Sequence, residues 1–472
     1  MVVIPFRRER DLLGDREVPR DVYYGIQTAR ALDNFPITGY MPHREMIFAL
    51  AHVKKAAAQA NVRVGRLAPT IGNAIAAACD EILAGELLDH FVVDVIQGGA
   101  GTSYNMNANE VIANRAIEIL GGRRGDYMLV SPNTHVNMAQ STNDVFPTAI
   151  KIASLKLAEA LLNSITDLRQ ALRGKEQEFD DIIKMGRTHL QDAVPIRLGQ
   201  EFGAYAAAID RDIKRISQAL RGLESINMGA TAVGTGLNAD MAYIDAVTEV
   251  LACNTSLPLV KAYNLVDATQ NTDVYVALSG ALKVLAVNLS KMANDLRLLA
   301  SGPRCGFNEI NLPAMQPGSS IMPGKVNPVM AEVVNQVAFQ VVGNDLTITL
   351  ASEAGQLELN VMEPVMTFNL LQSLDILSNV ISVFANKCVR GITANVRRCR
   401  QMVEQSVGII TAINPHVGYE TASVVAREAI ITGRPVREIV LEQGILTEEE
   451  LDVILNPQEM TRPGIAGARL LK

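Results

Sequence analysis

Residues 274–299 read VYVALSGALKVLAVNLSKMANDLRLL, and this stretch decides the fold class. Its apolar positions Val274, Leu278, Leu282, Leu285, Leu289, Met292, Leu296 and Leu299 recur every three or four residues, the period of one helix face. The run covers about seven turns, roughly 40 Å at the helical rise. A second stripe runs Phe202, Tyr205, Ile209, Ile213, Ile216, Leu220, Leu223, with Arg211, Asp212, Lys214, Arg215 and Gln218 off it. A third, weaker stripe passes through Leu155, Leu161, Ile165, Leu168 and Leu172. Helices this long pack side by side as a bundle. Ala206, Ala207, Val276, Ala277, Val284 and Val287 widen the apolar faces, so each helix needs more than one neighbour. Self-association supplies those neighbours; a large monomeric bundle is the alternative.

Outward from this centre the text changes. Residues 1–143 mix short helical patterns with turns such as Gly98-Gly99-Ala100-Gly101 and Ser131-Pro132-Asn133. From residue 397 short helices are punctuated by Asn414-Pro415, Gly433-Arg434-Pro435 and Asn456-Pro457. Three domains are expected: an N-terminal, mixed but mostly helical one (1–143), a central helical bundle (144–396) and a small C-terminal helical one (397–472). Composition agrees with a mainly α chain, being 48% hydrophobic but only 4% aromatic, without Trp. The formal net charge of −7, with no basic stripe, argues against a nucleic-acid partner. Five scattered cysteines without a Cys-x-x-Cys pair suggest neither zinc nor a disulfide framework, and fit a reducing cytoplasm. The start, MVVIPFRRERDLLGD, lacks the apolar region of a signal peptide. No run of about 18 consecutive apolar residues suggests a membrane span.

Four clusters of hydroxyl, amide and glycine residues interrupt the helical patterns. They are Gly101-Thr102-Ser103-Tyr104-Asn105, Gln140-Ser141-Thr142-Asn143-Asp144, Gly186-Arg187-Thr188-His189-Leu190-Gln191-Asp192 and the long segment from Gln316 to Pro328. All are rich in donors and poor in carboxylates, which suits an anionic ligand. Each also has a plainer reading: one of residues 141–144 caps the following helix, and Thr188-His189 is a loop bonded to backbone. The segment 316–328 is not a phosphate loop, because five residues separate Gly318 from Gly324-Lys325 and Val326 stands where Ser or Thr is required. Gly99-Ala100-Gly101 lacks the third glycine of a dinucleotide fingerprint, and the six histidines show no metal-ligand spacing. Rigid Pro317, Pro323 and Pro328 with hinge-like Gly318 and Gly324 describe a lid over a small anion.

The sequence Gly318-Ser319-Ser320-Ile321-Met322-Pro323-Gly324-Lys325-Val326-Asn327-Pro328 resembles the signature loop of the fumarase/aspartase superfamily. The resemblance runs nearly end to end and is stronger to the aspartate ammonia-lyases than to the fumarases. Gly101-Thr102-Ser103, Ser141-Thr142-Asn143-Asp144, residues 329–336 (VMAEVVNQ) and residues 357–364 (LELNVMEP) carry that distinction. It implies a three-domain, mostly helical subunit whose long helices form a twenty-helix core in a homotetramer, each active site being shared by three subunits. Tyr104 departs from the family, which has a smaller aliphatic residue there; its ring either packs behind the loop or reaches the pocket. His189 is Gln in some aspartases and His in fumarases.

The resemblance also implies a chemistry: reversible deamination of L-aspartate to fumarate and ammonia. Removal of the Cβ proton puts a second negative charge on the β-carboxylate, an aci-carboxylate that needs preorganised donors. By resemblance those are Thr102, Ser141, Thr142 and Ser320, with Ser319 as the base. Thr188, Lys325 and Asn327 hold the α-carboxylate, Asn143 and His189 meet the amino group, and Glu332 supports the histidine. No cofactor or metal is required by this chemistry, and no ligand set for divalent-cation activation is readable. The rival readings are a fumarate hydratase, a related lyase with another amine or diacid range, and a non-catalytic scaffold.

Overall fold

The three stripes do form helices. In the computed structural model, which describes residues 6–471, 62% of the chain is helical. A hairpin of β1 (Phe6–Asp11) and β2 (Gly14–Pro19) leads into α1 (Ile26–Asn34), α2 (Arg44–Arg63), α3 (Pro69–Leu83) and α4 (Thr102–Ile119). The long α5 (Thr142–Glu178) follows, then the hairpin β3 (Ile183–Thr188)–β4 (Gln191–Arg197) and α6 (Leu198–Leu220). Next come α7 (Met241–Thr255), α8 (Leu265–Gln270), α9 (Asp273–Leu299), α10 (Val329–Glu353) and α11 (Glu363–Lys387). Short helices α12 (Val396–Gln405), α13 (Ile410–Val417), α14 (Tyr419–Thr432), α15 (Val436–Glu442), α16 (Glu448–Ile454) and α17 (Pro457–Met460) follow. Among the described residues β-structure is confined to two-stranded pieces.

On α9, Leu278, Leu282, Leu285, Leu289, Met292 and Leu296 are all buried, as the stripe predicts. On α6 one residue departs from expectation. Asp212, placed off the stripe by its charge, is fully buried, where Asn288 Nδ2 donates to both its carboxylate oxygens at 3.0 and 2.8 Å. A buried carboxylate is tolerated when hydrogen-bonded, and periodicity alone does not reveal such a partner. Leu223, the last residue of that stripe, is buried beyond the end of α6 in a 3₁₀ turn.

The chain divides into two compact units whose boundaries fall inside α5, α6, α9, α10 and α11. One comprises the chain up to Asn163 with Lys214–Ala286 and Phe339–Ser378; the other Ser164–Ile213, Val287–Ala338 and the chain from Asn379. In the first, α2 packs on α3 and α7, and its small residues Ala49, Ala56, Ala57 and Ala60 are buried. In the second, Met185, Ile413, Val425, Ile439 and Leu451 form a core shared by the β3–β4 hairpin and α13–α16. Two helices, Asp273–Leu299 and Glu363–Gly391, are long and apolar enough to cross a membrane, but about half of each is buried against the chain (50% and 56%). That is the pattern of bundle helices with one face still open.

Candidate active site

The first cluster lies at the N-terminus of α4. Gly99, Ala100 and Gly101 all have positive φ (92°, 57°, 88°), a tight approach that delivers Thr102, exposed, as the first helical residue. Gly101 is required twice, because a Cβ there would also sit 2.5 Å from the Phe146 ring. Among the described residues no side chain caps this 18-residue helix, so its terminal N–H groups present positive potential beside Thr102. Tyr104 is 3% exposed, its ring centroid 5.2 Å from that of Phe146. Of the two readings, packing behind the loop is the one observed, and burial pushes its hydroxyl pKa upward.

The second cluster begins α5. Ser141 N–H donates to Asp144 Oδ1 (2.9 Å) while Asn143 N–H donates to Ser141 Oγ (3.2 Å), a reciprocal cap. Ser141 is therefore the capping residue expected in this cluster, and its hydroxyl hydrogen stays available to donate. Asn105, one turn into α4, donates to Thr142 Oγ1 at 3.1 Å, so the starts of α4 and α5 lie together. Asn143 Nδ2 donates to Ala232 O at 2.7 Å, and among the described residues its Oδ1 accepts no hydrogen bond.

Beneath these residues lies a polar layer that sequence reasoning did not find. Lys54 is fully buried in α2, its Nζ donating to Asn137 Oδ1 and Gln140 Oε1, both at 2.9 Å. Asn105 and Asn109 donate to the same Asn137 oxygen. Asp144, also fully buried, accepts Gly229 N–H and Thr231 N–H at 3.1 Å each. Burial raises the Asp144 pKa to about 7 against those N–H groups and the attraction of Lys54. It lowers that of Lys54 to about 7 against the attraction of Asp144. The available signal was a Lys on the apolar face of α2 that carries Leu50, Val53 and Ala57.

In the other unit, Thr188 and His189 stand at the tip of the β3–β4 hairpin. Thr188 pairs with Gln191, and the two residues between, His189 and Leu190, have φ of 53° and 59°. Positive φ at both central positions suits the twist of a two-residue hairpin, but for these side chains it costs roughly 1–2 kcal/mol each. Strain of this kind is kept where a side chain must be presented, and His189 is exposed. Behind the tip, Arg187 donates to the buried Glu309 at 2.8 Å and lies 4.1 Å over the Phe307 ring, while Lys184 bridges Glu309 and Glu201.

The fourth cluster, 316–328, is an exposed loop pinched at its base. Gly318 N–H donates to Lys325 O (2.8 Å) and Asn327 Nδ2 donates to Gly318 O (2.7 Å). A Cβ on Gly318 would lie 2.6 Å from Asn327 N, so only glycine fits. Within the loop, Ile321 N–H (3.2 Å) and Met322 N–H (2.9 Å) both donate to Ser319 Oγ. Ser320 and Lys325 are exposed, and Glu332 follows in the first turn of α10. Among the described residues His189 has no hydrogen-bond partner, so the implied pairing with Glu332 is not made within one chain. The eleven polar residues foreseen thus fall into two sets: Thr102, Ser141, Thr142 and Asn143 in one unit, and Thr188, His189, Ser319, Ser320, Lys325, Asn327 and Glu332 in the other. Among the described residues no group of three or more His, Cys, Asp or Glu is placed to hold a metal ion.

Comparison with known proteins bears on the family of the chain. A family model described as Lyase matches residues 14–343, and one described as Fumarase C C-terminus matches residues 409–462. An aspartate ammonia-lyase of Bacillus subtilis (strain 168) is 65% identical over 99% of this chain and 98% of its own. Among solved structures, a fumarate lyase:delta crystallin from Brucella melitensis superposes with a TM-score of 0.95 at 49% identity, covering 97% of this chain and all of that one. A class II fumarase from Schistosoma mansoni gives 0.93 at 37% identity over the same shares. The fold is common to lyase and fumarase, whereas sequence identity separates them. The chain belongs to the fumarase/aspartase superfamily of lyases, within its aspartate ammonia-lyase branch.

Proposed function

We propose that this chain interconverts L-aspartate with fumarate and ammonia, as a carbon–nitrogen lyase acting on a small dicarboxylate. The geometric observation that carries the chemistry is the Ser319 hydroxyl oxygen, which already accepts two backbone N–H bonds. Serine is a poor base in water, and donors aimed at its oxygen favour the alkoxide. Ser319 removes the Cβ proton, and the Cβ–H electrons become the second negative charge of the β-carboxylate. Thr102, Ser141, Thr142 and Ser320 donate to that aci-carboxylate; the uncapped start of α4 adds its dipole. The double bond then forms as the Cα–N bond breaks, its electron pair leaving with nitrogen as neutral ammonia. An ammonium group needs no acid to depart in this way. Thr188, Lys325 and Asn327 hold the α-carboxylate, and His189, supported by Glu332, meets the amine together with Asn143 Oδ1.

The reading includes a homotetramer whose sites combine three subunits. Phe339, Val342, Leu346 and Leu350 support it: they form one stripe along α10 and are 67%, 40%, 60% and 59% exposed. A bundle helix with such a face needs a further partner. The exposed hairpin carrying Thr188 and His189 supports it as well. We retain the three-domain division at 143/144 and 396/397, a cofactor-independent reaction, no nucleic-acid or membrane partner, and a cytoplasmic location. Five unpaired cysteines, two of them exposed, fit that last assignment.

The test is ultraviolet absorbance of the purified protein, following the conjugated double bond of fumarate. A rise with L-aspartate, absent with L-malate and reversed by fumarate plus ammonia, is the expected result. A rise with L-malate alone would make the protein a hydratase.

A further inference from the structure

Asn143 is one of the two residues, with His189, through which the proposed reaction meets the amine, so whatever fixes Asn143 bears on selectivity. Pro147, in the second turn of α5, has no N–H, and the Asn143 main-chain carbonyl therefore lacks its helical donor. Asn227 supplies the missing bond: its Nδ2 donates to Asn143 O at 3.0 Å. Asn227 is fully buried and its amide is held on both sides. Nδ2 also donates to Thr269 Oγ1 at 3.0 Å, and Thr148 Oγ1 donates to its Oδ1 at 3.4 Å.

The segment that leaves Asn227 returns to the same target. Ala230 N–H donates to Asn227 O, closing a turn, and Gly229 and Thr231 take φ of 87° and 59°. A threonine in that region is strained, and this one is tied by its N–H to Asp144. The next residue delivers Ala232 O to Asn143 Nδ2. One loop therefore grips Asn143 twice, by its main chain through Asn227 and by its side chain through Ala232.

We propose that Asn227 is a positioning residue for the amine subsite. By filling the carbonyl that Pro147 leaves open, and by starting the loop that ends on Ala232, it sets the direction of Asn143 Oδ1. That direction gives the subsite its preference for a nitrogen donor. The inference rests on the reading above, in which Asn143 contacts the amine. A bond serving only stability would act differently, lowering the folded fraction without altering the affinity for one substrate over the other.

The experiment measures KM for ammonia and for fumarate separately, in the amination direction. Asn227→Leu keeps approximate shape and removes the donor. It is expected to raise KM for ammonia about tenfold, the worth of one hydrogen bond, while KM for fumarate stays within about twofold. Thr269→Val leaves Asn227 in place and removes one of its anchors, so it serves if the leucine variant fails to assemble; the same selective change is expected, smaller in size. A loss of Tm or kcat with both KM values unchanged in the folded variants would overturn the inference. An unmodified protein inactive on L-aspartate would instead overturn the reading on which it rests.

Discussion

Ser319 and the two amide groups that point at its oxygen are the smallest unit on which the chemistry depends. Replacing it with alanine removes no core volume, since the residue sits in an exposed loop. Turnover of Ser319→Ala is therefore expected to fall by about two to four orders of magnitude, the usual worth of a positioned base, with assembly and Tm unchanged. Retained turnover in that variant, measured by the absorbance assay, would remove Ser319 from the role. The loop around it was readable because its glycines, prolines and lysine are consecutive. Ser141 as a cap was readable for the same reason, since its partners are Asn143 and Asp144. Lys54 and Asn227 were not, because their partners lie 83 and 84 residues away in the chain. No local pattern encodes such pairs. Tyr104 was visible as an oddity, and only the neighbouring Phe146 ring decides that it packs rather than projects.

At the scale of elements, the legibility of a helix depended on its having a wet side. The stripes of α6 and α9 were clear, since polar residues separate their apolar ones. The first turns of α5, from Asp144 to Ala153, are buried on every side, so no amphipathic period exists there to read. A similar difficulty hid α10, whose exposed face is itself apolar. The start of α1 shows a distant carboxylate acting as a cap. Gly25, Gln27 and Thr28 all donate their N–H groups to the buried Glu110, whose pKa burial raises to about 7. A carboxyl raised in the folded state binds its proton more tightly there than in the unfolded chain. Its contribution to stability is thus full below the ordinary carboxylate range, near 4.5, and declines as pH rises through about 7. Glu110→Gln loses acceptors for those N–H groups, at a cost of about 1–3 kcal/mol, but has no proton to bind. Its Tm deficit against the unmodified protein is expected to be larger at about pH 5 than at about pH 8. Equal deficits, by thermal unfolding at both pH values, would mean that Glu110 holds the same charge throughout.

For the whole molecule the telling feature is what one chain leaves unfinished. The apolar stripe of α10 faces outward, His189 has no hydrogen-bond partner among the described residues, and the polar residues of the site fall into two sets. The proposed tetramer resolves all three by letting each subunit complete the sites of others. Periodicity read from the sequence had already pointed to helices with more apolar surface than one neighbour covers, whereas which subunit supplies which residue is a property of assembly and leaves no trace in spacing. The direct test is complementation between Thr102→Ala and Ser319→Ala, each expected to be inactive alone. The two are co-expressed with different tags, mixed tetramers are purified through both, and deamination of L-aspartate is measured. If Thr102 and Ser319 of one site come from different subunits, random pairing restores intact sites and recovers up to about a quarter of the unmodified activity. Mixed tetramers as inactive as either parent would contradict a site built from more than one chain.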